Sequence, residues 1–97
     1  MLDSRSLEIA RHYGREATVL KTIQAAGEFS SALSRYYQRS SDLNWNGLVE
    51  KSADLQNMLD QLVMLFGFTA AVEQVRQAKI LRQLSRIRLE RLEGSND

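Results

Sequence analysis

A chain of 97 residues with 43% hydrophobic content has the size of one compact domain, and thirteen Lys+Arg against twelve Asp+Glu leave a formal net charge of +1. That balance excludes a protein that coats DNA or an anionic membrane by bulk charge alone. Zero cysteines exclude a disulfide framework and a thiolate metal site, and the single histidine, His12, excludes a two-His zinc site.

With zero prolines and five glycines, little interrupts long helices. Ser4 or Ser6 is expected to cap a short first helix through Tyr13, with Gly14 as its left-handed C′ residue. A second helix is expected from about Arg15 to Tyr37, burying one face made of Val19, Ile23, Ala26, Phe29 and Leu33. The polar stretch Gln38 to Gly47 reads as a connecting loop. A third helix is expected from near Leu48 to Gly67, with Leu48, Leu55, Met58, Leu62 and Leu65 as its buried stripe. Leu59, Val63 and Phe66 widen that stripe toward the C-terminal end. A fourth helix, capped by Thr69, is expected to run to about Leu92, ahead of a polar tail from about residue 93. The expected fold class is all-α, an antiparallel four-helix bundle forming a single domain over 1–97.

The longest apolar run, Leu62 to Phe66, is far too short to span a bilayer, and the stretch Met-Leu-Asp-Ser-Arg at the N-terminus has no signal-peptide core. The expectation is a cytoplasmic protein with no membrane and no DNA partner. A core this small is modest, and the broad apolar surface of the third helix predicts a homodimer or homotetramer.

Six of the thirteen basic residues lie between Arg76 and Arg91. At about 100° per residue, Arg76, Lys79, Arg82 and Arg86 share roughly a third of the helix circumference. Such a stripe is either a solvated flank or a surface for phosphate oxygens. Glu28 stands on the second helix, one turn after Gln24, and Glu50 and Asp54 stand four apart on the third. Antiparallel packing lets Glu28 and Asp54 face each other, and facing carboxylates suit Mg²⁺. The aromatic residues Tyr36, Tyr37 and Trp45 surround the expected loop, where they suit either stacking on a nucleobase or covering the bundle end.

Four segments in order carry a resemblance: His12-Tyr13-Gly14, then Lys21 to Phe29 (KTIQAAGEF), Leu48 to Leu55 (LVEKSADL), and Lys79 to Arg86 (KILRQLSR). The set resembles the MazG-like proteins of the all-α nucleoside triphosphate pyrophosphohydrolase superfamily, especially the short single-domain members common in phages. The resemblance implies a helical bundle completed by oligomerisation, which uses Mg²⁺ to cut a nucleoside triphosphate into monophosphate and pyrophosphate. It also implies basic residues aimed at phosphates, which fall on Lys21, Lys79, Arg82 and Arg86, with Gln24 beside them as a further ligand-binding position.

The family's metal motif, Glu-x-x-Glu then Glu-x-x-Asp, falls on Ala25, Glu28, Lys51 and Asp54. The glutamate preceding each half falls on Gln24, a departure, and on Glu50, which is kept. The glutamine after the Tyr-Gly corner falls on Thr18. Glu28, Glu50 and Asp54 are thus the residual catalytic set, with Glu28 and Asp54 as the remaining metal ligands. An ammonium in the carboxylate cluster opposes Mg²⁺, so impaired or absent hydrolysis is expected. Glu28 and Asp54 are then expected beside Lys51, whose removal alone should destabilise the fold if the site is well shielded. The expected function is binding of a nucleotide or another phosphate-bearing small molecule. The alternatives are an active pyrophosphohydrolase and a non-enzymatic oligomeric interaction module.

Overall fold

The computed structural model describes residues 3–95; Met1, Leu2 and the tail residues Asn96 and Asp97 lie outside the described residues. Four helices follow in order: α1 (Ser4–Tyr13), α2 (Arg15–Gln38), α3 (Asp42–Phe66) and α4 (Thr69–Ser95). No strand occurs among the described residues. The chain divides into two units, Met1–Gly67 and Phe68–Asp97. The first holds α1, α2 and α3 packed on one another, and the second consists of α4.

Asp3 caps α1, in place of the expected Ser4 or Ser6, which lie inside the helix. Its carboxylate accepts the Arg5 amide at 3.0 Å and also binds the Arg5 guanidinium. A carboxylate meets both the bare amide and the cation, which a hydroxyl does less well. Gly14 separates α1 from α2 with φ 91° and ψ 174°, a positive-φ extended geometry rather than the expected left-handed helical one. Its N–H donates to the Ala10 carbonyl at 2.8 Å, and its own carbonyl accepts the Thr18 amide at 3.1 Å and the Thr18 hydroxyl at 2.8 Å. One glycine therefore closes α1 and opens α2.

Cross-helix pairs fix the α2–α3 geometry. Thr22 Oγ1 reaches the Met58 carbonyl at 3.5 Å, Glu28 meets Lys51, and the Tyr36 and Trp45 rings lie 5.4 Å apart. Numbers rise along α2 as they fall along α3, so the two helices are antiparallel. Their connection is residues 39–41 and not the longer loop read from the polar segment. Ser41 caps α3 by accepting the Asn44 amide at 3.1 Å, while Asn44 Nδ2 donates to the Arg39 carbonyl at 3.0 Å and the Arg35 carbonyl at 3.4 Å. These polar side chains cap two helix ends at once, and α3 starts six residues before Leu48.

The buried line of α2 is Thr18, Ala25 and Ala32, seven residues apart, with Thr22 and Phe29 half-buried between them and Tyr36 half-buried one turn beyond. Small side chains at heptad spacing allow close approach of the neighbouring helices. The expected face is correct only at its edge. Val19 and Phe29 are half-buried, whereas Ala26 is exposed, Leu33 is exposed, and Ile23 is 65% exposed. The expected α3 stripe of Leu48, Leu55, Met58, Leu62 and Leu65 is half-buried throughout, while Leu59 and Phe66 stay exposed.

Gly67, in the left-handed region with φ 74° and ψ 30°, ends α3 as expected. In the second unit the Phe68 carbonyl accepts the Val72 amide at 3.1 Å, so Phe68 takes the capping position expected of Thr69. The α4 helix runs on through Glu93 and Gly94, which the sequence reading placed in the tail. Ile80, Leu84 and Ile87 are exposed along it.

Candidate functional site

The α2–α3 pairing collects the chemistry-bearing residues of the first unit. Glu28 stands on α2 one turn beyond Gln24, and Lys51 and Asp54 stand on the facing stretch of α3. Lys51 Nζ lies 3.3 Å from Glu28 Oε2 and 3.8 Å from Asp54 Oδ2. Gln24 Nε2 donates to Glu28 Oε1 at 3.1 Å. Both Glu28 oxygens are engaged, and the Gln24 and Lys51 hydrogen bonds, with the lysine charge, hold its carboxyl below the usual range. The Lys51, Glu28 and Asp54 side chains are 33%, 41% and 49% exposed, so the cluster is less shielded than Lys51 removal would need to cost much.

Two open hollows share Gln24 and Glu28. One, of about 380 Å³, is lined by Lys21 and Ala25 on α2 and by Asp54, Asn57 and Gln61 on α3. The other, of about 530 Å³, is lined by Ile23, Gly27, Ser31 and Arg35 on α2 and by Lys51 on α3. Lys21 Nζ sits 3.9 Å over the Tyr13 ring, so the α1–α2 corner positions this cation. His12, in the last turn of α1, packs edge-on against Tyr13 at 4.8 Å.

Ala25 is nearly buried in the helix seam, which explains the small side chain there. Thr18, where the resemblance expects a glutamine, is fully buried and its hydroxyl is satisfied by the Gly14 carbonyl. Glu50 is exposed on α3 and makes no ion pair among the described residues. No group of three or more His, Asp or Glu side chains among the described residues is disposed to hold a metal ion.

The structure thus brings Lys21, Gln24, Glu28 and Asp54 together with Lys51, and leaves Glu50 outside the cluster. Lys79, Arg82 and Arg86 belong to the second unit, where each is exposed and without an ion pair among the described residues. Arg76 differs, pairing with Glu73 at 2.6 Å. Tyr36 and Trp45 pack on each other across the helix corner. Sequence reasoning missed Gly27, Ser31, Arg35, Asn57 and Gln61 among the lining residues. The available signal was the four-residue spacing of Gly27, Ser31 and Arg35 beside Glu28.

No family model, curated protein or solved structure matches this chain. No helix among the described residues is long and apolar enough to cross a membrane.

Proposed function

We propose that this chain is a MazG-like nucleotide-binding protein that holds a nucleotide, or another phosphate-bearing small molecule, without efficient hydrolysis. The observation that supports this is the Lys51 ammonium lying against Glu28 and Asp54, where the resemblance puts Mg²⁺. Two carboxylates that already share an ammonium, beside a buried alanine in place of a third ligand, do not fit that cation. Mg²⁺ would polarise a phosphate and activate a water in such a site. In its place the Lys51 ammonium, which makes one hydrogen bond, keeps N–H donors that a phosphate oxygen can accept, and it generates no hydroxide. The functional unit on this reading is a homodimer or homotetramer.

Calorimetric titration with a nucleotide panel, with and without Mg²⁺, tests the proposal when pyrophosphate release is followed in parallel. Binding without release is the expected result. Mg²⁺-dependent release would instead make the chain an active pyrophosphohydrolase. A second reading, an oligomeric interaction module, draws on the exposed Ile23, Leu33 and Tyr37 of α2 and would remain if nothing binds.

A further inference from the structure

Three residues on α2 recur at four-residue spacing along the larger hollow: Gly27, Ser31 and Arg35, facing Lys51 of α3. Each contributes a property that an anion needs. A Cβ added at Gly27 would meet nothing within 4 Å, so this position leaves open space at the helix surface. The Ser31 hydroxyl makes no hydrogen bond among the described residues, unlike Ser30 and Ser52, which donate to carbonyls four residues back at 3.1 and 2.7 Å. The Arg35 guanidinium has no ion pair or ring partner among the described residues, whereas Arg5 is held by Asp3 and Arg15 lies 5.1 Å over the Phe66 ring.

Lys51 retains capacity as well. Its ammonium carries three donors and makes one hydrogen bond, to Glu28, because Asp54 at 3.8 Å is beyond hydrogen-bond reach. The one carboxylate in the hollow, Glu28, is engaged at both oxygens by Gln24 and Lys51. Two cations and an occupied carboxylate leave the lining itself at +1; Asp54, outside the lining, lies 3.8 Å from Lys51, so Arg35 is the lining cation without an ion pair among the described residues.

We propose that Gly27, Ser31, Arg35 and Lys51 form the seat for a phosphate group, the terminal phosphate of a diphosphate or triphosphate ester. This deepens the nucleotide-binding reading and rests on it. It assigns the phosphate end to the α2–α3 hollow. Arg35 supplies the forked pair of donors, Ser31 a single hydroxyl donor, and Lys51 a point charge.

The test is calorimetry on the full chain with inorganic pyrophosphate and, separately, with a nucleoside triphosphate. The proteins are the parent, Ser31→Ala, Arg35→Gln, Arg35→Lys and a Lys79→Gln/Arg82→Gln double variant. Arg35→Gln should weaken both ligands about tenfold or more, and Ser31→Ala about threefold. Arg35→Lys should fall between Arg35→Gln and the parent, since an ammonium keeps the charge and loses the fork. The Arg35 backbone carbonyl still accepts Asn44 in each Arg35 variant, and Ser31 is exposed, so the fold should survive. Parent-like binding by both Ser31→Ala and Arg35→Gln overturns the seat. If the Lys79→Gln/Arg82→Gln variant alone loses nucleotide, the phosphate lies on α4 and nucleotide binding still stands. If the parent binds neither ligand, the seat and the nucleotide reading fail together.

Discussion

Rebuilding the four-carboxylate set with Ala25→Glu and Lys51→Glu tests whether these positions form a converted metal site. Ala25 is 6% exposed and sits between Thr18 and Ala32 in the tightest line of α2. A glutamate there forces four extra heavy atoms out of the seam, an overpacking cost of about 1–3 kcal/mol. Lys51→Glu removes the counterion of Glu28 and Asp54 and leaves like charges facing one another. For a unit the size of Met1–Gly67, each kcal/mol lowers Tm by about 4–8 °C, so a fall of roughly 4–24 °C is expected. A divalent ion that binds only the folded carboxylate set, at about a hundred times its Kd, returns about 2.7 kcal/mol. Thermal melting with and without millimolar Mg²⁺ should therefore show a large recovery in the double variant and none in the parent. An Ala25→Gln/Lys51→Gln control should melt low and ignore Mg²⁺. Equal Mg²⁺ responses in double variant and parent would refute the reasoning.

Gly14→Ala should cost about 1–3 kcal/mol, because φ 91° with ψ 174° is a region essentially reserved for glycine; a parent-like melt would show that the corner relaxes freely. The Arg5 guanidinium and amide hold the Asp3 carboxyl at about 2, below the ordinary 3.8. A depressed value means that its capping contribution is present above the ordinary pKa and is lost as pH falls through about 2. The Arg5 amide resonance should titrate with that low midpoint, and a midpoint near 3.8 would remove the cap. Light scattering at micromolar concentration should report a dimer or tetramer, since Ile23, Leu33, Leu59 and Phe66 stay exposed; a monomer rejects the oligomer. Polar replacement of Ile23 and Leu33 should shift that equilibrium toward monomer more than it lowers Tm.

Secondary structure was largely legible in the sequence, because helix periodicity and glycine punctuation are local properties. Arg15 as the start of α2, Gly67 as the end of α3 and the break between Tyr13 and Arg15 all follow from neighbouring residues. The ion cluster was legible too: antiparallel pairing of two helices is enough to bring Lys51 to Glu28, and the i,i+3 step brings Asp54 to the same side.

Tertiary structure alone decided which face of α2 is buried. The large apolar residues Ile23 and Leu33 mark one face, yet close helix approach selects Thr18, Ala25 and Ala32, about one residue round the helix. Hydrophobicity scores side-chain size, whereas a tight seam is governed by the distance between backbones, which a single helix does not specify. The same reason explains the short 39–41 connection. Asn44 looks like a loop residue in sequence, and only the returning α2 carbonyls of Arg35 and Arg39 make it a helix cap. Ser31 and Arg35 were likewise ordinary polar residues until α3 placed Lys51 across the hollow from them. Their role depends on a neighbour sixteen to twenty residues away, and that proximity is a property of the packed helices.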